Sequence, residues 1–116
     1  MIQILPLIAL LSAPALAPEN WVSVGTDDAS HATLWIDTDS IREEGGLRYF
    51  RIKMIAVDAT GIADLVADCK AGVLEARRTE LTRTGAAPVV TEFAPGENHK
   101  PPDDEISAAM LKRACA

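Results

Sequence analysis

The sequence has little of the chemistry that most enzymes and metal proteins use. Its 116 residues include only two histidines and two cysteines. No serine stands in a nucleophile-elbow sequence, and Gly45-Gly46 is not followed by the lysine of a phosphate-binding loop. These absences argue against a hydrolase and against a nucleotide-binding protein. We therefore expect neither an enzyme nor a cofactor.

Positive charge is also scarce. Lysine and arginine number 11 against 17 aspartate and glutamate residues, which gives a formal net charge of −6. The basic residues are scattered along the chain, apart from the pair Arg77-Arg78. Phosphate backbones and anionic membrane surfaces repel such a protein. Nucleic acid is therefore not an expected partner.

Only one stretch is long, apolar and free of charge. Residues 2–17 read IQILPLIALLSAPALA, which is too short and too interrupted by proline for a membrane span. The pattern is typical of a secretory signal peptide over residues 1–17, with cleavage after Ala17 or, as the alternative, after Ala15. No cysteine stands near the cleavage point to carry a lipid. We expect one exported domain over residues 18–116, periplasmic or secreted.

Two cysteines in an exported chain most simply form one disulfide. Bridging Cys69 to Cys115 closes a ring of about 47 residues and removes roughly 4 kcal/mol of unfolded-state entropy. A metal pair is the alternative, but two cysteines at this separation with only two histidines make a poor site. His31 and His99, with acidic neighbours, are candidate metal ligands, particularly if their loops meet. Isolated loop histidines are usually solvated, so no metal is expected.

Alternating apolar and polar residues predict a succession of strands. The segment between Gly72 and Gly85 is ambiguous because its leucine, alanine, glutamate and arginine also suit a helix; we interpret it as a strand. Thr38, Asp39 and Ser40 bond readily to nearby backbone, so we expect them to turn the chain or to cap a short helical turn around Ser40–Glu44. The predicted strands cover residues 20–26, 31–37, 47–57, 62–69, 73–83 and 88–93, the last at a sheet edge.

The C-terminal segment predicts the only helix. Asp103 follows two prolines and is the expected N-cap, while Lys112 and Arg113 suit the negative end of the helix dipole. Such a short helix is unstable alone and must dock on the sheet. The predicted fold is therefore α+β, an antiparallel sheet of about six strands with one C-terminal helix packed on a face and tied by the disulfide.

The longest predicted strand offers a candidate recognition face. Tyr49, Arg51 and Lys53 alternate with apolar residues and share its polar side, so we name them as the expected partner-binding residues. The aromatic content is only 4%. For that reason we expect at least three of the aromatic residues Trp21, Trp35, Tyr49 and Phe50 to belong to the core.

The order of motifs resembles a known family. A tryptophan opens the first strand in Trp21-Val22-Ser23-Val24-Gly25, and an aromatic strand runs through Asp37 into Ser40-Ile41. An Asp-Cys pair follows at mid-chain and a helix ends in Cys115. Over residues 20–116 this is similar to the surface-adhesin protein E-like family of Gram-negative bacteria. The resemblance implies a six-stranded antiparallel sheet, a disulfide-tied helix and adhesion to host extracellular proteins. It transfers no binding residues.

These observations favour an exported, non-catalytic protein that binds a protein partner at the bacterial cell envelope. An inhibitor of a periplasmic or extracellular hydrolase is the alternative, and its inhibitory loop would be Ala94 to Pro102. The short strand before that loop leaves a sheet edge through which a homodimer could form.

Overall fold

A computed structural model describes residues 19–116. The expected signal peptide, residues 1–17, lies outside them. The described chain folds into six strands and one helix. The strands are β1 (Trp21–Asp27), β2 (Ala32–Glu44), β3 (Leu47–Ile55), β4 (Ala59–Asp68), β5 (Val73–Arg83) and β6 (Val89–Glu92), and the helix is α1 (Glu105–Ala114).

The six strands form one antiparallel sheet in chain order, β1-β2-β3-β4-β5-β6. Each strand pairs with its sequence neighbour through a short turn. The turn between β2 and β3 uses Gly45 and Gly46, both at positive φ (60° and 85°), a conformation that glycine adopts without steric cost. The predicted α+β architecture is confirmed.

The helical turn predicted at Ser40–Glu44 is wrong, because β2 continues to Glu44. Arg42, Glu43 and Glu44 pair with residues of β3, and the register shifts between Asp37 and Arg42. The polar side chains that favoured a turn form this irregularity instead. Ser40 Oγ donates to the Asp37 carbonyl at 2.7 Å, and the Asp39 amide donates to Asp37 Oδ1 at 3.0 Å.

The ambiguous segment is a strand, as interpreted. It pairs with β4 along its length and with β6 at Arg78 to Leu81. Hydrogen bonding to two neighbours therefore outweighs the helical preference of its side chains.

The core lies between α1 and one face of the sheet. Met110 and Ala114 of the helix are 6% and 0% exposed, and they join a cluster that includes Ile36, Phe50 and Leu65. The helix begins one residue later than predicted. Its N-cap is Asp104, whose Oδ1 accepts the Ser107 amide at 2.6 Å.

The predicted disulfide is confirmed. Cys115, at the end of α1, is bonded to Cys69, and their Cα atoms are 5.7 Å apart. Cys69 lies just beyond β4 and is exposed. Within the described chain, no helix is long and apolar enough to cross a membrane.

Candidate binding face

The sheet face opposite α1, here called the helix-free face, carries the three predicted binding residues. Tyr49, Arg51 and Lys53 alternate along β3 with Phe50 and Ile52, which are 3% and 9% exposed and belong to the core. Since successive side chains of a strand point to opposite faces, the three polar residues share the face without a helix. Their role in binding stays a prediction.

Lys53 lies between two tryptophans on this face. Its Nζ is 4.4 Å from the centroid of the Trp21 ring and 5.9 Å from that of Trp35. The cross-strand register places Trp35 directly opposite Lys53. A cation held over indole rings is attracted by their negative faces, so the lysine and both rings form one half-buried cluster.

The expectation that at least three of the four aromatic residues belong to the core is wrong. Only Phe50 is buried; Trp21, Trp35 and Tyr49 are half-buried on the helix-free face. Aliphatic residues and Met110 are enough to fill the space under the short helix. The sequence signal for this placement is the alternation of side chains along β1 and β2. It puts Trp21 and Trp35 on one face of the sheet and the valines and isoleucine of the core on the other.

Tyr49 is the centre of a second cluster, which contains two arginines that sequence reasoning missed. The guanidinium carbons of Arg42 and Arg77 are 4.8 Å and 6.0 Å from the Tyr49 ring centroid. Arg42 also bonds Glu44 at 2.7 Å. Their proximity depends on the register of β2 with β3 and on the irregular pairing of β4 with β5. The sequence alone does not specify either feature.

Ion pairs across strands fix the position of Arg51. Its Nε lies 3.0 Å from Asp64 Oδ1 on β4. On β5, Arg78 Nη2 lies 3.4 Å from Glu80 Oε1 of the same strand, and Arg78 Nε lies 3.9 Å from Glu92 Oε2 on β6. These exposed pairs add little stability. They do hold long side chains in place and give the face a patterned charge.

Trp35 carries an unpaired donor. Its Nε1 is the one buried side-chain nitrogen or oxygen that has no hydrogen-bond partner within residues 19–116. A buried donor without an acceptor costs free energy, and most native structures avoid it. This nitrogen belongs to the same aromatic cluster as Lys53.

The loop proposed as an inhibitory loop is attached to the edge of β5. The Leu74 and Lys100 backbones exchange hydrogen bonds at 3.0 and 3.1 Å. Asn98 accepts from the Ala76 amide at 2.7 Å and donates to the Ala76 carbonyl at 3.2 Å. The segment thus continues the sheet edge beyond β6 instead of projecting freely.

Glu75 connects this loop to the sheet. It is 7% exposed and accepts from the Gly96 amide, from Arg77 Nε at 2.6 Å and from His99 Nδ1 at 3.0 Å. Burial alone would raise the pKa of Glu75, but the hydrogen bonds from Gly96, Arg77 and His99 together lower that pKa below its ordinary value. The carboxylate is therefore charged, and both of its oxygens accept hydrogen bonds.

The two histidines are placed in different settings. His99 bonds Glu75, whereas His31 lies in the turn between β1 and β2 with a φ of 56°. Between Glu19 and Ala116, no group of three or more His, Cys, Asp or Glu side chains could hold a metal ion.

The sheet edge at β6 is short and exposed. All four of its residues are exposed, with Val89 at 63% and Val90 at 47%. The homodimer expected through this edge stays a prediction.

Comparison of the chain with protein-family models, with characterised proteins and with solved structures found no significant match.

Proposed function

We propose that this chain is an exported, non-catalytic binding protein of the bacterial cell envelope, and that its protein partner docks on the helix-free face. This is the role that its resemblance to the surface-adhesin protein E-like family implies. The observation that carries the proposal is the composition of that face. It combines Trp21, Trp35 and Tyr49 with Arg51 and Lys53, on the side of the sheet away from α1.

The residue types of this face suit protein recognition. Tryptophan, tyrosine and arginine are enriched among the residues that contribute most of the binding energy at protein interfaces, and the two aromatic types bury large areas at a small cost in side-chain entropy. Here the contacts of Lys53 with the tryptophan rings and the ion pair of Arg51 with Asp64 hold the side chains in place before binding. Such preorganisation reduces the entropic cost of association.

The compartment is consistent with this role. The disulfide between Cys69 and Cys115 is compatible with an oxidising environment, either the periplasm or the exterior of the cell. A partner that meets the protein there would be an envelope protein or an extracellular protein of a host. The alternating charges favour a partner surface that is itself mixed in charge, and the net charge of −6 argues against nucleic acid.

A capture experiment tests the proposal. The mature protein is immobilised and exposed to periplasmic extract and to host matrix extract, and bound proteins are identified. We expect Arg51→Glu combined with Lys53→Glu to reduce capture at least tenfold, because both charges invert next to the aromatic clusters. The matched control is Lys112→Glu combined with Arg113→Glu, which reverses two exposed charges on α1.

Two outcomes would contradict the proposal. One is the absence of any partner at micromolar protein concentration in both extracts. The other is equal loss of capture in the β3 variant and in the α1 control, since net charge alone would then explain the effect. Circular dichroism of both variants establishes that the fold is retained.

The hydrolase-inhibitor alternative is favoured by one observation, the anchoring of residues 94–102. Gly96, Asn98 and Lys100 are each hydrogen-bonded to β5, while Pro95, which precedes them, and Glu97, which lies between Gly96 and Asn98, are exposed. A loop held in one conformation binds an active site with a small entropic cost. Inhibition assays against lysozymes and common proteases test this alternative, and uniform inactivity would eliminate it.

A further inference from the structure

The face of the sheet that carries α1 is only partly covered by it. The helix packs chiefly on β1 and β2. Beyond it lie two adjoining hollows of about 310 and 280 Å³. We call this surface the β3–β5 groove. Six residues define it: Leu34, Ile52, Met54, Ala63, Thr79 and Leu81.

The floor of the groove is apolar and closed. A Cβ atom at Gly61 would lie 3.6 Å from Met54 Cε and 3.7 Å from Leu81 Cδ1, so these two side chains approach each other over the glycine. Met54, Leu81 and Ala63 are all half-buried. Contiguous apolar surface that stays in contact with water is typical of a docking site.

The dimensions of the groove fit one α-helix. From β3 to β5 the sheet advances by two strand spacings, about 10 Å in total. This is about the diameter of an α-helix with its side chains. A helix lying there would be a neighbour of α1 and would complete the covering of the sheet, as in other two-layer folds.

The rim of the groove is acidic. A third hollow, at the N-terminal end of α1, shares Leu34 and Met54 with the groove. Among the residues lining the three hollows, Lys100 is the one cation; Glu75 and Glu80 also line them but are paired with arginines. The remaining acids form what we call the acidic rim: Asp27, Asp28, Asp103, Asp104 and Glu105, of which Asp103 lies 3.9 Å from Lys100.

We propose that the β3–β5 groove binds an amphipathic helix of a partner protein, with its apolar side on the sheet and lysine or arginine residues facing the acidic rim. Helix-in-groove recognition supplies the affinity through apolar anchors, and the rim selects a basic partner. This site goes beyond the function proposed above, which concerns the opposite face.

Charge disfavours two other possible occupants of the groove, a second copy of this chain and the apolar run at residues 2–17. A second copy of the chain would place acidic rim against acidic surface, and its net charge of −6 opposes the approach. The apolar run at residues 2–17 has no cationic side chain to meet the rim. A basic partner helix satisfies both the apolar floor and the rim.

A designed peptide tests the proposal. The probe is a fluorescein-labelled Leu–Lys peptide of about 18 residues, with leucines at helical spacing. Fluorescence anisotropy is measured with the chain beginning at Pro18 and with the chain beginning at Met1. We expect a micromolar Kd for both, and binding at least tenfold weaker for a Leu–Glu peptide of the same apolar pattern. Equal affinity for the two peptides would overturn the proposal.

Two threonines of β5 provide a matched pair of variants. Thr79 lines the groove, whereas Thr82 lies on the helix-free face; both are half-buried. Thr79→Glu places a carboxylate on the groove floor, and we expect it to weaken Leu–Lys binding at least tenfold. Thr82→Glu adds the same charge outside the groove and is expected to change the Kd less than twofold. Equal effects of the two variants would place binding elsewhere.

The rim is tested by charge reversal. Asp28→Lys combined with Asp103→Lys is expected to weaken Leu–Lys binding at least fivefold. The control is Asp39→Lys combined with Asp58→Lys, which reverses two exposed acids outside the groove.

Sedimentation tests whether a second copy of the chain occupies the groove, and comparison of the two chain lengths tests the run at residues 2–17. A dimer that Thr79→Glu dissociates would show that a second copy fills the groove. A chain from Met1 that refuses the peptide while the chain from Pro18 binds it would assign the groove to the N-terminal run. Either result overturns the proposal.

Discussion

Glu75 shows how one buried carboxylate connects a loop to a sheet. Its partners come from three places, the Gly96 amide, Arg77 and His99. They lower its pKa, so the folded state holds the charged form more strongly than the unfolded state does. Its contribution to stability is therefore present above the unfolded pKa, about 4.3, and is lost as the pH falls through the lower folded value.

Glu75→Gln is expected to destabilise the protein by about 1–3 kcal/mol at pH 7, because three donors lose a charged acceptor. The difference from wild type should shrink as the pH falls from about 5 to 3. Urea unfolding at both pH values measures it. The pKa values of Asp27 and Asp104 are also lowered, by hydrogen bonds from Ser30 and Ser107. Both residues are present in the two proteins, so their contributions to the pH dependence cancel in the difference. A difference that grows in acid would contradict the assignment.

Single residues were predicted best where strand alternation decides their side. The placement of Phe50 against Tyr49 and Lys53 follows from a period of two alone. Partners across strands did not follow, because Arg77 reaches Tyr49 only through a register shift between β4 and β5. Composition misled the assignment of Trp21 and Trp35, since a scarcity of aromatics does not place them in the core.

At the scale of the elements, α1 depends on its cap. Asp104 holds the Ser107 amide, whereas the neighbouring Asp103 lies 3.9 Å from Lys100. An N-cap residue satisfies an amide that has no partner within the helix, and its replacement by alanine typically costs about 1 kcal/mol. Substitution of Asp103 and of Asp104 in turn therefore tests which of the two residues caps α1.

Asp104→Ala is expected to lower the free energy of unfolding by about 1 kcal/mol, and Asp103→Ala by less than about 0.5 kcal/mol. Chemical denaturation of both variants, with unchanged m-values, makes the comparison. If the Asp103 variant is the less stable of the two, the cap assigned in the structure is wrong.

Elements were predictable where the signal is local. The alternating pattern gave six strands, and proline followed by acidic residues gave the helix start to within one residue. The segment Ser40–Glu44 failed because its partners, Leu47 to Tyr49, lie across a hairpin whose register the local side chains do not report. β5 was ambiguous for the same reason: its state depends on two neighbouring strands.

For the whole molecule, the disulfide determines how α1 is held. Cys115→Ser is expected to lower stability by about 4 kcal/mol, because a ring of about 47 residues opens in the unfolded state. Thermal unfolding of the variant should match that of the reduced wild type. The double variant Cys69→Ser, Cys115→Ser should add no further loss. Equal melting of the oxidised and reduced wild type would contradict the stabilising role.

The two faces of the sheet have different chemistry. One presents tryptophans, a tyrosine and paired charges, and the other presents an apolar groove beside α1. The sequence predicted the first face through Tyr49, Arg51 and Lys53. It could not predict the groove, because the extent of the covering by the helix depends on where the disulfide and the loop before α1 place it.

The position of α1 also has a consequence for the order of folding. Each strand can pair with the previous one as soon as both have been synthesised, since the sheet follows chain order. Ile36, however, is completely buried in a cluster that also contains Met110, which lies near the other end of the chain. Contacts between such distant residues slow folding. A chain whose sheet has paired before α1 docks would therefore expose the apolar side of that sheet, and such intermediates are prone to aggregation.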